Sequence, residues 1–358
     1  MLKILDKYII RKFLSTFFFM LGIIMLFAVV FDVSEKLSEF ISHRAPFSAI
    51  IFEYYLGFII FHGNMFSSMI IFISVIWFTA KMAQDTEIIP MWFSGRPINR
   101  FLRPYIIAST ILMVLSLALN HFVVPRTNKI RLEFEEKYYR DVMTVENYHA
   151  EYPGNQIVYF SNYSNQEDEL KDLVVQQWND SMQPCFFLKA RKAKNIRGTK
   201  KWILTDVYEK RLDFPKGTLI HAAKKDTLFN FQIDEMSQRE NIAETMTYSE
   251  LTKMIQREKF KGSAFVPYYE IELYQRTSYP FATYILTIIG VAVSSRKKRG
   301  GVGINIAIGL GFVFVYIFSM KVMAVAAIKI GFPAYISVWI PNILFAIVAL
   351  FLFRSAQK

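Results

Sequence analysis

Charged side chains inside apolar segments are the first candidates for chemistry in this sequence. Glu272 and Arg276 lie four residues apart near the start of one apolar run, and Lys321 lies within another. That spacing places Glu272 and Arg276 on one helix face, where they can neutralise one another. Their pair either orients the helix or contacts a substrate. Lys321 either extends its long stem to the membrane surface or meets an anionic headgroup from an internal cavity.

Residues 85–95 form a short polar stretch between two long apolar runs. Ile88, Met91 and Trp92 are spaced three and four residues apart and would lie on one helical stripe. Glu87 flanks that stripe, where its carboxylate could accept hydrogen bonds from an arginine of a partner protein. The stretch is therefore either a docking helix for such a partner or an interfacial helix among lipid headgroups.

The sequence contains no arrangement typical of a catalytic site. His149 and His221 lie far apart, and no Cys/His cluster has the spacing of metal ligands. The glycines of residues 300–303 lead into an apolar run without the lysine of a phosphate-binding loop. The chain is therefore predicted to hydrolyse no ATP and to bind no cofactor or metal of its own. Uphill transport would need an ion gradient or a partner.

The apolar composition predicts a membrane protein. Of 358 residues, 53% are hydrophobic and 16% aromatic, which is more than soluble proteins of this size usually carry. Stretches of roughly 20 apolar residues can cross a bilayer. Six qualify: 13–32, 55–80, 102–124, 269–294, 303–327 and 334–353. His62-Gly63-Asn64 interrupts the second, and the first is too long for a signal peptide, so we expect it to be retained.

The basic residues lie at the ends of these stretches. A net charge of +12 would suggest nucleic acid in a soluble fold, but this placement favours a membrane topology instead. All the clusters fall on one side if six spans alternate, and the positive-inside rule makes that side cytoplasmic. Both termini are then cytoplasmic, and the long segment 125–268 lies outside. The clusters are Lys3 to Lys12, Arg96 to Arg103, Arg296 to Arg299, and Arg354 with Lys358.

Residues 126–266 are predicted to form a separate β domain. Short alternating runs between turn residues predict strands at 156–160, 172–178, 185–190 and 201–208. Their number and spacing suggest a sandwich or an open jelly roll, flanked by helices at 129–139 and 249–258. The aromatic residues of these strands either form an ordinary core or line a groove for an apolar ligand. Cys185 is the single cysteine, so core packing alone must stabilise the domain.

A series of short motifs runs in order along nearly the whole chain. They are Leu5-Asp6-Lys7-Tyr8-Ile9, Ala83-Gln84 with Glu87 and Ser94-Gly95, Val124-Pro125, Glu272-Leu273-Tyr274 with Arg276 and Pro280, and Pro333 with Trp339-Ile340-Pro341-Asn342. With the six-span topology, this ordered set resembles the lipopolysaccharide-export permeases of the LptF/LptG family, also called the YjgP/YjgQ type. The compact outer domain and the chain length favour the LptG paralogue.

The resemblance implies a polytopic α-helical membrane protein with six transmembrane helices and an inserted all-β, jellyroll-like extracytoplasmic domain. Residues 1–125 would carry the first three helices, with a cytoplasmic coupling helix near residues 85–95. Residues 126–266 would form the periplasmic domain, and residues 267–358 the last three helices. The protein would reside in the bacterial inner membrane.

The resemblance also implies the partners. The chain would be one permease subunit of an ABC exporter, paired with a second, LptF-like permease. A cytoplasmic LptB-like ATPase dimer would bind the ATP and Mg²⁺. The pair would extract lipopolysaccharide from the inner membrane and pass it to periplasmic LptC/LptA-like bridge proteins. No nucleic acid is expected.

Carried over to this sequence, the resemblance makes Glu87 the contact to the ATPase, with Ile88, Met91 and Trp92 filling its groove. Pro90 lies inside this helix, where it removes a backbone donor and would kink the helix.

The lipid contacts are predicted less directly. Where the family can present lysines to phosphates, this chain has Asp32 and Glu35 with only Lys36. Phosphate binding would then rest on Lys36 or on two residues named above, Arg276 and Lys321. Phe27 and Phe31 are either acyl-chain contacts or helix-packing residues.

Two other classes of function remain open at this point. The chain could be a non-transporting membrane scaffold whose outer domain binds an envelope partner, or a mechanotransmitting ABC subunit of the MacB/FtsX type. The mechanotransmitting class is disfavoured, because its members usually have four spans whereas this sequence predicts six. An obligate ATPase partner would distinguish a transporter from a scaffold, and stimulation by lipid would distinguish an exporter from a mechanotransmitter.

Overall fold

A computed structural model describes residues 3–93, 98–138, 144–152, 155–164, 169–179, 183–196, 199, 201–212, 217–229, 240–263, 265–295 and 301–356. The chain divides into two compact units. The helical unit consists of Met1–Tyr139, Ala243–Thr252 and Pro267–Lys358, and the β unit of Arg140–Ile242 and Lys253–Val266.

Within the described ranges, six helices of the helical unit are long and apolar enough to cross a membrane. Spans 1 to 6 are Ile4–Ser42, Ser67–Gln84, Arg100–Glu135, Val266–Ser294, Val302–Ile330 and Ala334–Ser355. The predicted six-span fold class is therefore confirmed. Gly331 separates the last two spans with a φ of 75°, and Pro333 precedes span 6, as expected for a helix end followed by a helix start.

Shorter helical segments flank or extend the spans. Span 2 is preceded by Phe47–Ala49, the π-helical Ile50–Tyr55 and Leu56–Met65, and it is followed by Ile88–Phe93. Span 3 and its extension consist of Ile98–Ala118, the π-helical Leu119–Val123 and Val124–Tyr138, and span 4 is preceded by the 3₁₀ helix Glu240–Thr245 and by Tyr248–Phe260. The last two spans consist of Gly301–Ile330, Ala334–Ser337 and Ile340–Ala356. The predicted helices at 129–139 and 249–258 are confirmed, the first as far as Tyr138, because residue 139 lies outside the described ranges.

The second apolar stretch is divided in two. One helix ends at Met65, Phe66 has φ −90° and ψ 1°, and span 2 begins at Ser67. The predicted interruption at His62-Gly63-Asn64 was therefore wrong by two residues, because these three residues remain helical. The hydroxyl of Ser68, just after the break, donates a hydrogen bond to the carbonyl of Tyr279 in span 4 at 3.4 Å. The break is thus tied to a neighbouring span.

Glycines allow spans 4 and 5 to approach span 2 closely. A Cβ at Gly290 would lie 2.9 Å from Cγ1 of Val75, and a Cβ at Gly309 would overlap Cδ1 of Ile76. Small residues at helix contacts are the usual means of close packing within membranes, where water drives no association. Phe72 lies between both glycines and belongs to a buried cluster shared by spans 2, 4, 5 and 6.

The β unit is built on one six-stranded antiparallel sheet among the described residues. The strands are β1 Thr144–Tyr152, β2 Gln156–Ser164, β3 Glu169–Trp178, β4 Pro184–Asn195, β5 Lys201–Arg211 and β6 Thr218–Leu228. All four predicted strands are present, and the inserted β domain is confirmed. Each strand pairs with its sequence neighbour, so the described strands form a meander. Alternate side chains pack in its core, which includes Phe160 and Trp202.

Candidate functional site

Two neighbouring cavities lie in the helical unit. The larger has a volume of about 330 Å³, and its lining includes Asn120, Glu244, Glu272, Arg276, Tyr279 and Lys321. The smaller has a volume of about 110 Å³ and a mainly apolar lining. Met65, Asn120, Tyr279 and Lys321 line both. The structure thus brings together two predicted headgroup residues from distant parts of the sequence, Arg276 and Lys321.

The guanidinium group of Arg276 is fully engaged by neighbours. Its Nε donates to Oε1 of Glu272 at 3.0 Å, so the ion pair expected from their spacing is present. Its Nη1 and Nη2 donate to the carbonyls of Met246 and Ala243 at 2.7 and 2.6 Å. Arg276 is only 4% exposed. These bonds anchor the segment before span 4 to that span and leave little of the guanidinium for a ligand.

Lys321 has the opposite environment. It is exposed on span 5, and no hydrogen bond or ion pair joins its side chain to another described residue. It lies about two and a half turns before the end of span 5 at Ile330. Among the described cations that line the two cavities, Lys321 is therefore the one available to an anionic ligand.

A chain of polar side chains crosses the helical unit beside these cavities. Ser116 Oγ donates to Oδ1 of Asn64 at 2.8 Å, and Nδ2 of Asn64 donates to Oδ1 of Asn120 at 2.6 Å. Nδ2 of Asn120 in turn donates to the carbonyl of Arg276 at 3.2 Å. Pro280 has no N–H to offer that carbonyl, so Asn120 supplies the donor that the helix lacks. These hydrogen bonds join span 3 to the helix Leu56–Met65 and to span 4.

Glu244 is the unusual titratable group of the larger cavity. Burial, together with the nearby carboxylate of Glu272, raises the pKa of Glu244 to about 7, although Arg131 and Arg276 act in the other direction and Glu135 adds to the rise. Nδ2 of Asn128 donates a hydrogen bond to Oε2 of Glu244 at 3.4 Å. Near neutral pH this carboxyl is therefore poised between its neutral and charged forms.

We expect Glu244→Gln to stabilise the protein increasingly as the pH rises. The folded-state pKa lies above the ordinary value of 4.5, so the folded protein binds the proton more tightly than the unfolded chain. The stability contributed by protonated Glu244 is present below pH ~4.5 and is lost as the pH rises through about 7. The difference in Tm between variant and wild type should grow between pH 5 and pH 8 in detergent. Exposed Glu133, changed to Gln, is the control, and parallel pH curves for Glu244→Gln would contradict the assignment.

The predicted contacts on span 1 lie away from both cavities. Lys36 Nζ lies 2.9 Å from Oδ1 of Asp32, and it also bonds the hydroxyl of Tyr54. Tyr54 and Tyr55 donate to the two oxygens of Asp32 at 3.2 and 3.1 Å. A headgroup would have to share Lys36 with this cluster, so its role as a phosphate ligand stays a prediction.

Phe27 and Phe31 are exposed on the same helix, at 57% and 72%. Within the described chain they therefore do not serve as core packing. Their role as acyl contacts also remains a prediction.

The turn after span 2 fixes the position of Glu87. The N–H of Glu87 donates to the carbonyl of Met82 at 2.9 Å, and that of Thr86 donates to the carbonyl of Ala83 at 3.3 Å. This is a Schellman motif, in which Thr86, with φ 60°, occupies the left-handed position that glycine usually takes. A β-branched residue is strained there, so the rest of the turn must hold it in place.

The predicted docking residues divide between the interior and the surface. Glu87 accepts hydrogen bonds and is 34% exposed at its side chain. Ile88 is 1% exposed in a buried cluster with residues of spans 1 to 3, and Met91 packs partly against that cluster. The side chain of Trp92 and residues 94–97 lie outside the described part of the chain. The groove contacts of Ile88, Met91 and Trp92 stay predictions.

Pro90 is compatible with this helix, contrary to the expected kink. It is the third residue of Ile88–Phe93. The first four N–H groups of a helix have no partner within it, so a missing donor at this position removes no helical hydrogen bond.

Two residues of the site were missed from the sequence. Asn120 interrupts an apolar run four residues after Ser116, and polar residues at helical spacing within a span often bond across helices, so the signal was present. Glu244 gave no such signal, because nothing in a polar segment indicates that the chain returns beside Glu272.

Comparison with known families decides the assignment. The profile of the lipopolysaccharide export system permease LptF/LptG matches residues 7–355, almost the whole chain. The chain belongs to the LptF/LptG family. As an LptF/LptG protein it is a membrane permease of lipopolysaccharide export and not itself an enzyme. The profile covers both paralogues, so the preference for LptG stays a prediction. No curated protein matches the chain.

Proposed function

We propose that this permease extracts lipopolysaccharide from the inner membrane and passes it to periplasmic bridge proteins of the LptC/LptA type. A separate LptB-like ATPase dimer would supply the energy, using its own ATP and Mg²⁺, and a second permease would complete the complex. The observation that carries the proposal is the exposed Lys321, which lines a cavity of the helical unit and pairs with no other residue that the structure describes. The proposed topology has cytoplasmic termini and a periplasmic β unit.

The chemistry of the cavity suits a phosphorylated glycolipid. A lysine ammonium is a compact charge that can meet a phosphate from several directions. The adjoining smaller cavity has a mainly apolar lining, which includes Leu286, Val313 and Ile317. An amphiphile could therefore place its anionic part at Lys321 while its apolar part follows the apolar lining. Phe27 and Phe31 would contact acyl chains or the second permease.

Purification in mild detergent from the native host tests this proposal. We expect an ATPase and a second six-span permease to copurify in fixed stoichiometry, with ATP hydrolysis that changes when lipopolysaccharide is added. A chain that is repeatedly isolated alone under gentle conditions would contradict an exporter.

A point substitution then tests the ATPase contact. We expect Glu87→Ala to lower lipopolysaccharide-stimulated ATP hydrolysis about fivefold. The substitution would remove the proposed ion pair between Glu87 and an arginine of the ATPase, and a partly exposed pair contributes up to about 1 kcal/mol. Asp85→Ala in the same turn removes the same charge and should retain wild-type activity. Unchanged ATPase binding and stimulation in Glu87→Ala would refute the role of Glu87 in coupling.

A further inference from the structure

The start of span 1 holds the carboxylate of Glu87. The Tyr8 hydroxyl donates to Oε2 of Glu87 at 3.0 Å, and Nζ of Lys12 lies 3.5 Å from the same oxygen. Nζ of Lys12 also donates to the Tyr8 hydroxyl at 2.8 Å, so the three groups form a closed triangle. Tyr8 and Lys12 are one helical turn apart, which places both on the side that meets Glu87.

Both contacts reach the same oxygen of Glu87. No described residue bonds Oε1, and the side chain remains 34% exposed. The carboxylate is therefore held at one oxygen and presented at the other. A donor on a partner protein would meet an acceptor whose orientation is already set, so less side-chain entropy is lost on binding.

Two further contacts fix span 1 in this position. Nη2 of Arg100, at the start of span 3, lies 2.7 Å from Oδ2 of Asp6, which is 4% exposed. The N–H of Lys3 donates to the same Asp6 oxygen at 2.9 Å. Separating this pair would leave the buried carboxylate of Asp6 without its cation in a poorly solvated place, which is costly, whereas Arg100 is partly exposed.

Apolar packing joins the same elements. Ile9 and Ile88 are each 1% exposed, and Phe13 is fully buried. All three belong to one buried cluster, with Phe101 of span 3. A helix that carries Ile88 therefore cannot shift far without moving the start of span 1.

We propose that Tyr8 and Lys12 are positioning residues for the ATPase contact, and that the coupling helix and the start of span 1 move as one body. This inference rests on the proposed coupling role of Glu87. It gives a role to the Leu5-Asp6-Lys7-Tyr8-Ile9 motif: Asp6 and Ile9 hold span 1 against its neighbours, and Tyr8 orients Glu87. Movement at the ATPase is then passed directly to the helix that carries Phe27 and Phe31.

The test uses the complete complex with its ATPase and second permease, reconstituted with lipopolysaccharide. Tyr8→Phe removes only the hydroxyl, and Lys12→Met removes the charge but keeps the apolar stem. Each should lower the maximal stimulated rate of ATP hydrolysis about threefold, as expected for a partly exposed pair. The lipid concentration for half-maximal stimulation should not change, and Lys12→Arg should restore the rate. Lys7→Met, an exposed charge on the same turn, is the control.

A double-mutant cycle separates positioning from a general structural role. If Tyr8 acts through Glu87, Tyr8→Phe should cause no further loss in a Glu87→Gln background. A threefold loss in that background would overturn the inference. Wild-type rates in the Tyr8→Phe/Lys12→Met variant, beside an impaired Glu87→Ala, would overturn it and leave the proposed function intact. Wild-type rates in Glu87→Ala itself would refute the proposed coupling role and the inference with it.

Discussion

Replacing Arg276 by methionine should destabilise the folded protein by about 3 kcal/mol, because removing one partner of a buried charged network leaves the others unpaired. The change leaves Glu272 without its cation and two backbone carbonyls, those of Ala243 and Met246, without donors. Methionine retains most of the side-chain volume, so loss of packing contributes little. Thermal unfolding in detergent should show a Tm lower by several degrees.

The chemistry of arginine makes a second variant informative. Arg276→Lys keeps the charge, but one ammonium on a flexible stem cannot reproduce the planar fork that reaches three acceptors, so we expect an intermediate Tm. Arg126→Met removes an exposed arginine of the same unit and should leave the Tm unchanged. A wild-type Tm for Arg276→Met, combined with a loss of lipid stimulation, would instead make Arg276 a headgroup ligand.

The features that depend on chain-local patterns could be predicted from the sequence. Runs of about 20 apolar residues located all six spans, because the bilayer thickness sets that length regardless of how the helices pack. Four of the six described strands were found from alternation between turn residues, because strand geometry has a period of two residues; β1 and β6 were not predicted. The Glu272–Arg276 ion pair followed from helical spacing alone.

Features that depend on contacts between distant segments could not be predicted. Arg276 and Lys321 were both predicted as candidate phosphate ligands, because the sequence could not indicate that the carbonyls of Ala243 and Met246 occupy the guanidinium of Arg276. The position of Ile88 shows the same limit. Its spacing with Met91 defines a stripe, but a stripe can face a partner or the protein's own core, and in this chain Ile88 is buried.

The Schellman turn lay between these two cases. Its hydrogen bonds are local, but its usual marker is a glycine at the left-handed position. Thr86 stands there instead, so the polar stretch that begins at residue 85 indicated the end of span 2 but nothing indicated the type of turn. Strain at a residue next to a proposed contact is consistent with a position that is set by function.

Lys321→Glu should raise the lipopolysaccharide concentration for half-maximal ATPase stimulation about thirtyfold, which corresponds to about 2 kcal/mol. The variant would add a third carboxylate to a cavity that already holds Glu244 and Glu272. The added negative charge would repel the phosphate group of the lipid and weaken its binding. Its Tm should change little, because Lys321 is exposed and joins no described partner.

The matched control for this charge reversal lies on the same helix. Lys329→Glu is an equally exposed reversal about two turns further along, outside both cavity linings, and it should behave as wild type. Substitutions of Arg276 and Lys321, which line the same cavity, should therefore have different effects: Arg276→Met should lower the Tm, and Lys321→Glu should weaken the response to lipid. A Lys321→Glu variant with normal lipid dependence would show that the anionic headgroup binds elsewhere, and Lys36 would become the first alternative to test.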